Sequence, residues 1–287
     1  MTRDFGEDVF AGAAFYYAKY RPRYPQKLYD DIAANFKLDG RGQLLDLGCG
    51  TGELALPLAK YFKKVLALDP DIGMLAAGRD KAKKQGIANV TWQKGSSKEL
   101  ISLEDSFRLV TMGQSFHWMD QETVLEELYP LVEEGGALAI IGAEPVDQGL
   151  QALEEDKIIK RCVSKYLGPD RRAGSEIYIP PPHKYEELLA ESRFKNLQQQ
   201  HYDLVLTRGV DKIIGHLFSM SWALKSHFGD QLQDFENELR QELRAISTNG
   251  KITEKVRFGL YTVTKRCAGP VSLALTFVTY IFALSTT

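Results

Sequence analysis

The feature that most constrains the fold of this chain is the segment 44–53, which reads LLDLGCGTGE. An apolar, strand-like pattern leads into the segment, and a helical pattern begins at Glu53. Between them, three glycines occupy alternate positions, Gly48, Gly50 and Gly52. Glycines at this spacing let the backbone turn tightly and come close to a ligand. The segment therefore predicts a strand, a turn and a helix, with a nucleotide-like cofactor held at the turn.

The first half of the chain alternates strand-like and helix-like stretches. The predicted strands are 43–47, 65–68, 90–93, 107–112 and 137–141, and the predicted helices are 53–62, 72–85 and 121–131. Each strand–helix pair has the length of a right-handed crossover unit. We therefore predict an α/β fold with a doubly wound, mostly parallel sheet that carries helices on both faces.

The second half changes character after residue 144. Its predicted elements are helices at 148–167, 185–191, 210–219 and 231–246, a Gly- and Pro-rich loop at 168–182, and strands at 202–206 and 256–263. The last two strands would pair antiparallel at the sheet edge, which gives a seven-stranded sheet with a helical cap inserted before the last strands. The predicted regions are a lid and first helix at 1–40, a cofactor-binding core at 41–144, the cap and terminal strands at 145–266, and an uncharged apolar tail at 267–287.

Composition narrows the range of partners. The chain has 287 residues, with 36 Lys and Arg against 38 Asp and Glu and a net charge of -2. That balance argues against a nucleic-acid-binding surface. The three cysteines show no metal-ligand or disulfide spacing, and the acidic N-terminal sequence does not resemble a signal peptide. We expect a cytoplasmic protein without a metal site, either a monomer or a homodimer, that acts on a small molecule.

The tail 267–287 contains no charged residue and follows Lys265 and Arg266. One interpretation is a membrane anchor with the basic pair on the cytoplasmic side, which would make the protein membrane-associated. The other is a packed tail or strand, because β-branched and aromatic residues dominate and Gly269-Pro270 disfavours a helix at its start.

Two acidic positions distinguish between cofactors. A dinucleotide-binding turn places a pyrophosphate near the position of Glu53, whose carboxylate would repel it. S-adenosylmethionine carries no phosphate, and its ammonium and sulfonium groups are compatible with Asp46 and Glu53. Asp69 ends the second strand, where a carboxylate can accept hydrogen bonds from the hydroxyls of an adenosine ribose. Both clues favour the methyl donor over NAD.

Four motifs resemble those of the class I S-adenosylmethionine-dependent methyltransferases that act on small molecules. They are YRPRYP at 20–25, DLGCGTG at 46–52, ALDPD at 67–71 and GQSFHWMD at 113–120, the last being similar to a QxxHW segment. Together they cover roughly the first 145 residues. The resemblance implies a Rossmann-like methyltransferase fold, S-adenosylmethionine as the cofactor and methyl transfer to a small acceptor.

The resemblance also implies a set of donor-binding residues. Asp46 and the three glycines would line the methionine side, Asp69 would bind the ribose, and Met74 or Ile72 would pack near the adenine. Family members often carry an acid after the third strand, whereas this chain has Gly95-Ser96-Ser97. The predicted cofactor-binding residues are Asp46, Gly48, Cys49, Gly50, Gly52, Asp69, Pro70, Met74, Ser96, Ser97 and Gln114.

On the acceptor side, His117 follows the fourth strand at the carboxyl edge of the sheet. It is predicted either to take a proton from a hydroxyl acceptor or to close the pocket floor, whereas a carboxylate acceptor needs no base. We predict an oxygen nucleophile as acceptor, His117 and Tyr20 as catalytic residues, and Tyr16, Arg21 and Trp118 as substrate-binding residues. Tyr16, Tyr17 and Tyr20 are read either as an aromatic lid or as packing residues.

Several sequence features allow more than one interpretation. Arg171 and Arg172 are either an acid-recognising pair or solvated charges. A non-catalytic donor-binding protein or a membrane-tethered scaffold is the main functional alternative. An NAD-dependent oxidoreductase is disfavoured by Glu53 and by the lack of a Tyr-x-x-x-Lys pair.

Overall fold

The computed structural model describes residues 9–144, 154–174, 176–180 and 182–267. Its α-helices, in chain order, are α1 (Ala14–Tyr20), α2 (Gln26–Asn35), α3 (Ala55–Leu58), α4 (Ile72–Gln85), α5 (Gln121–Leu131), α6 (Glu154–Leu167), α7 (Tyr185–Glu191), α8 (Val210–Leu217) and α9 (Leu232–Ile246). Its strands are β1 (Gln43–Leu47), β2 (Lys64–Asp69), β3 (Val90–Lys94), β4 (Phe107–Gly113), β5 (Val132–Glu144), β6 (Arg172–Ala173), β7 (Glu176–Ile177), β8 (Lys195–Gly209) and β9 (Lys251–Thr264).

Seven strands form one sheet in the order β3-β2-β1-β4-β5-β9-β8, and β6 and β7 form a small separate hairpin. The first five strands of this order are parallel, whereas β9 pairs antiparallel with both β5 and β8. The predicted fold class is confirmed. The strand order reverses between β1 and β4, and ligands of open α/β sheets bind beyond the carboxyl ends of strands at such a point.

Alternate residues of the central strands face two hydrophobic cores. Leu44 of β1 packs with buried residues of α2, α3 and α4, whereas Leu45 and Leu47 pack with those of α5 and α7. A third core joins α6, α8 and α9 into a cap around residues such as Phe218 and Phe235. The cap therefore draws one helix from before β8 and two helices from between β8 and β9.

The helix predicted at 53–62 is shorter in the structure. It begins as α3 at Ala55, and after Leu58 it tightens into a 3₁₀ turn at Ala59–Tyr61. Pro57 has no amide hydrogen to donate to the carbonyl of Glu53, four residues earlier. That carbonyl instead accepts a hydrogen bond of 2.9 Å from the Tyr29 hydroxyl, and the helix begins two residues later.

The last strands are longer than predicted. The strand expected at 202–206 extends as β8 across Lys195–Gly209 and includes the polar run 198–200. β8 lies at the sheet edge and pairs only with β9 within the described chain, and Gln198 and Gln199 are exposed. A polar sequence is compatible with such a strand because one side of it faces water.

Two predictions fall on residues outside the described part of the chain. They are the first turns of the helix expected at 148–167, of which 154–167 is helical, and all but the first residue of the tail 267–287. Among the described residues, none of the helices combines the length and the apolar character needed to cross a membrane.

Candidate active site

The glycine-rich turn folds back over the end of β2. The amides of Gly48 and Cys49 donate to the carbonyl of Leu68 at 2.8 and 3.0 Å. Gly48 has φ +69°, and a Cβ there would lie 2.4 Å from Cβ of Ser115. Only glycine therefore allows the turn to approach the loop after β4 this closely.

Asp46, at the end of β1, holds this turn in place through hydrogen bonds. Its carboxylate is buried and accepts hydrogen bonds from Thr111 Oγ1 at 2.8 Å and from the amide of Ala55 at 2.9 Å. Burial raises its pKa to about 7. The two bonds tie β1 to β4 and to the start of α3, so Asp46 holds the loops together from beneath the cavity.

The pKa of Asp46 leads to a prediction about stability. Because folding raises this pKa above its unfolded value near 3.9, the protonated group favours the folded state, and that contribution is lost as pH rises from about 4 through 7. Asp46→Asn removes the titration and keeps one acceptor for Ala55 and one donor toward Thr111. We expect the difference in free energy of unfolding, variant minus wild type, to be larger at pH 8 than at pH 5 by roughly 2 kcal/mol or more. Urea unfolding at both pH values measures this difference, and a difference independent of pH would contradict it.

Asp69 ends β2 at the edge of a cavity. Its side chain accepts the amide of Gly50 at 2.8 Å and the amide of Asp71 at 2.9 Å, and the residue is 8% exposed. Burial raises its pKa to about 6. The carboxylate is therefore fixed in position, ionised at neutral pH and directed to the space beyond the sheet.

The cavity lies beyond the carboxyl ends of β1, β2 and β4. Nine predicted site residues line it, namely Gly48, Gly50, Asp69, Pro70, Met74, Ser96, Ser97, Gln114 and Trp118. Ser96 is fixed by the amide and hydroxyl bonds that it makes to Glu99, at 2.5 and 3.0 Å. Met74 is buried at the wall, whereas Ile72 is 62% exposed.

Three of the residues predicted to bind the cofactor lie elsewhere. Asp46 makes the structural hydrogen bonds described above. Cys49 is buried in the hydrophobic core between the sheet and α2. Gly52 has φ +87°, and a Cβ there would lie 2.7 Å from the ring of Trp92. Glycine is therefore required at this position by the packing of the Trp92 ring against the turn.

The N-terminal segment covers the cavity. Val9, Phe10 and Tyr17 line it. The Phe10 ring packs edge-on against Tyr17 and Trp118, with centroids 6.1 and 5.7 Å apart. Burial raises the pKa of Tyr17 to about 12, so its hydroxyl is neutral. In the sequence, only the run Tyr16, Tyr17 and Tyr20 indicated that this segment covers the site. Phe10 was not predicted.

The other two tyrosines of this run point to the cap. Tyr20 packs on α8, where a Cβ on Gly215 would lie 2.6 Å from its ring, and Tyr16 packs against Phe218 at 5.6 Å. Neither ring lines the cavities described here. The structure therefore places Tyr16 and Tyr20 between α1 and the cap, where they hold α1 in place.

A second cavity, of about 510 Å³, lies between the core and the cap and meets the first at Phe10, Gln114 and Trp118. Its cationic lining residues are Arg21, Lys160 and Arg171, and its carboxylate is Asp170. Ser221 and Trp222 close it from the cap. Arg171, which the sequence left open between acid recognition and a solvated charge, and Lys160, which the sequence did not single out, thus face the same space as Arg21.

His117 separates this second cavity from a third, of about 720 Å³, which opens toward Glu144 and Tyr261. Its ring packs at 4.5 Å from that of Trp118. Burial, together with the guanidinium groups of Arg171 and Arg21, lowers its pKa to about 3. The imidazole is therefore neutral and weakly basic at physiological pH.

Three buried polar atoms around these cavities have no hydrogen-bond partner among the described residues. They are Nε of Arg21, Nε2 of Gln114 and Oε2 of Glu53. The Arg21 guanidinium stacks on the ring of Tyr17 at 4.7 Å, so it lies between the two cavities. Unpaired buried donors are costly, and they are expected where a ligand completes their hydrogen bonds.

Comparison with known proteins identifies a methyltransferase domain in this chain. Residues 44–136 match a family model described as a methyltransferase domain. A methyltransferase of Dictyostelium discoideum is 24% identical over 267 residues, which cover 91% of this chain and 95% of that protein. These matches support a class I S-adenosylmethionine-dependent methyltransferase. S-adenosylmethionine is accordingly its cofactor, as the motifs predicted.

Two further comparisons concern shorter or weaker likenesses. Trans-aconitate 2-methyltransferase of Deinococcus radiodurans is 37% identical over 101 residues, covering 34% of this chain and 36% of that protein. A methyltransferase structure from Anaeromyxobacter dehalogenans superposes with a TM-score of 0.57 at 22% identity, covering 86% of this chain and 98% of that one. This structural likeness concerns the fold alone. The chain spans about half the length of several other curated methyltransferases that it matches.

The residues of the first cavity fit this methyl donor. Glu53 Oε1 is held by Lys81 Nζ and by Thr51 Oγ1, each at 2.7 Å. Its other oxygen is unpaired and lies 3.9 Å from where a Cβ on Gly50 would be. An unpaired carboxylate oxygen beside the glycine turn suits an ammonium group, and Asp69 suits a pair of ribose hydroxyls.

Proposed function

We propose that this methyltransferase transfers the methyl group to a carboxylate oxygen of a small acidic molecule bound between the core and the cap. One observation carries the proposal. The cavity that adjoins the donor site presents Arg21, Lys160 and Arg171, and its histidine, His117, is neutral. Arginine side chains recognise carboxylates through forked hydrogen bonds.

The proposed donor site lies in the first cavity, and Glu53 lies beside it at the glycine turn. Asp69 would accept hydrogen bonds from the ribose, Ser96 and Met74 would lie at the adenine end, and Glu53 would accept from the ammonium group. When bound, S-adenosylmethionine supplies a methyl group on a positively charged sulfur, which is an activated leaving group. Phe10, Tyr17 and Trp118 would exclude water and surround that charge with aromatic rings, whose faces attract cations.

Methyl transfer to a carboxylate depends on the position of the acceptor more than on proton transfer. A carboxylate oxygen forms the new bond to the methyl carbon as the bond to sulfur breaks, the sulfur keeps the electron pair, and the products are a neutral thioether and an ester. No proton moves in this step, so no general base is required. A hydroxyl acceptor would need one, and a histidine whose pKa is about 3 is poorly matched to that role at neutral pH. We therefore propose that His117 forms the floor between two cavities.

The likeness to trans-aconitate 2-methyltransferase supports the same acceptor class, since that protein's name specifies a polycarboxylate. The matched segment is short, so we propose the carboxylate class rather than one compound. The third cavity adjoins the reaction site through Gln114, His117, Ala143 and Arg171, and can take the remainder of a longer acceptor.

A pH profile tests this proposal. The wild-type protein is assayed with S-adenosylmethionine and a panel of small mono-, di- and tricarboxylates that includes trans-aconitate. We expect methyl ester formation with at least one member. The rate should stay flat, within about threefold, from pH 6.5 to pH 8.5, because no group must lose a proton in that range. His117→Gln should retain at least a tenth of kcat.

Two results would contradict the proposal. Esterification of none of the panel, with methylation of phenols or amines instead, would exclude the carboxylate class. A rate that rises with pH to a plateau, and is lost in His117→Gln, would show that the histidine is a base for a hydroxyl acceptor. Trp92→Phe is a suitable control for the pH profile, because Trp92 packs behind the glycine turn and outside all three cavities.

A further inference from the structure

Gln114 has an unusual backbone. Its φ is +57°, in the left-handed region that residues other than glycine rarely adopt. Its amide donates to the carbonyl of Ile141 at 2.8 Å, and the next residue, Ser115, donates its hydroxyl to the carbonyl of Leu47 at 2.7 Å. The loop is thus tied to β5 and β1, and those bonds hold Gln114 in a conformation that glycine or asparagine would adopt more readily.

The side chain of Gln114 is also unsatisfied. Its Nε2 is buried and has no hydrogen-bond partner among the described residues. A buried amide donor without a partner is unfavourable by itself. Two unfavourable features in one residue, an unusual φ and an unpaired amide, suggest that the residue is positioned for a ligand.

The place of Gln114 indicates which ligand. It lines all three cavities, whereas His117, Ala143 and Arg171 line only the second and third. Bond formation must occur where the donor and acceptor cavities meet. The second unpaired donor nitrogen in this region, Arg21 Nε, belongs to the acceptor cavity.

From these observations we infer that the side-chain amide of Gln114 orients the acceptor by donating a hydrogen bond from Nε2 to an oxygen of its carboxylate. This inference rests on the proposed function and differs from the sequence prediction, which placed Gln114 among the donor-binding residues. The amide and Arg21 together would present two donors to one carboxylate. They would fix the angle at which its reacting oxygen approaches the methyl group.

Gln114→Gly tests the inference, because glycine accepts the backbone conformation and removes the amide. We expect kcat with the carboxylate acceptor to fall 30-fold or more, the affinity for S-adenosylhomocysteine to stay within threefold, and the melting temperature to be no lower than that of wild type. Gln114→Glu has nearly the same shape but replaces the donor with a carboxylate, and we expect it to be less active still. Gln114→Asn keeps a shorter amide and should recover part of the lost kcat.

Gln121→Leu is the matched control. Gln121 is also a buried glutamine after β4, but its Nε2 has a partner, the carbonyl of Phe116 at 3.5 Å. We expect this variant to melt at a lower temperature while kcat per folded molecule stays within threefold. The opposite behaviour of the two glutamines would separate a role toward the acceptor from a structural one.

Three outcomes would overturn the inference. A tenfold loss of affinity for S-adenosylhomocysteine in Gln114→Gly would make the amide a donor contact. A melting temperature lowered by several degrees would make it a structural group, and an unchanged kcat would leave it without a role in the reaction. If wild type esterified no carboxylate, the proposed function would fail by itself, and the donor affinity and melting temperature of Gln114→Gly would still decide whether the amide is a donor contact.

Discussion

Asp69→Asn is expected to lower the affinity for S-adenosylhomocysteine by roughly 10- to 100-fold, because a hydrogen bond to a charged acceptor contributes about 1.5–3 kcal/mol. The carboxylate of Asp69 lines the donor cavity and is fixed by the amides of Gly50 and Asp71. The asparagine keeps the size of the side chain but presents only one acceptor oxygen. Calorimetric titration at pH 8 measures the loss.

The pH dependence of the same titration gives a second readout. Since burial raises the pKa of Asp69 to about 6, the carboxylate is ionised at pH 8 and mostly protonated at pH 5. Wild-type affinity should therefore fall between pH 8 and pH 5, and this fall should be absent or much smaller in Asp69→Asn. Equal falls in both proteins would show that another group governs the pH dependence.

Asp71→Asn is the matched control for Asp69→Asn. Asp71 lines the same cavity and carries the same charge, but its Oδ1 accepts the amide of Met74 at 3.0 Å as the N-cap of α4. Asparagine caps helices as well as aspartate does. We expect donor affinity to change by less than threefold, and a loss equal to that of Asp69→Asn would contradict the role given to Asp69.

Arg21→Gln is expected to lower kcat/KM for the carboxylate acceptor by about 100-fold, because it removes one partner of a buried charged hydrogen-bonded pair. Arg21 lines the acceptor cavity, its Nε is unpaired among the described residues, and its guanidinium stacks on Tyr17. Steady-state kinetics together with donor titration measure the effect. Donor affinity should change by no more than threefold.

Arg23→Gln is the control for this second prediction. Arg23 lies two residues further along the chain and is exposed, so the same change in charge should leave kcat/KM within twofold. Arg21→Lys keeps the charge without the planar fork and should be intermediate. If Arg21→Gln weakened donor binding as much as it lowered kcat/KM, its effect would act through Tyr17 and the donor cavity, and the acceptor role would be wrong.

The parallel half of the fold could be predicted because each strand is an apolar run bounded by a turn and followed by a helical pattern. The glycine motif also required a close approach, and the structure shows it at Gly48, where a side chain would collide with Ser115. These signals are local, so one stretch of sequence contains them.

The positions that could not be predicted depend on contacts distant in sequence. Asp46 looks like a donor ligand in its motif, but it is buried outside the lining of the donor cavity, where it bonds to Thr111, 65 residues away, and to Ala55. The carbonyl of Glu53, just before α3, accepts a hydrogen bond from the hydroxyl of Tyr29, 24 residues earlier. Lys160 was not singled out and Arg171 stayed open between two interpretations, because only the folded chain shows that both line one cavity.

The most direct test of this account is calorimetric titration of the wild-type protein with S-adenosylhomocysteine, with NADH in a parallel titration. We expect one site with a micromolar Kd for S-adenosylhomocysteine and no binding of NADH, because Asp69 lines the cavity and Glu53 lies beside its glycine turn, where carboxylates suit cations and hydroxyls rather than phosphates. A folded protein that does not bind S-adenosylhomocysteine, or that binds NADH in its place, would contradict it.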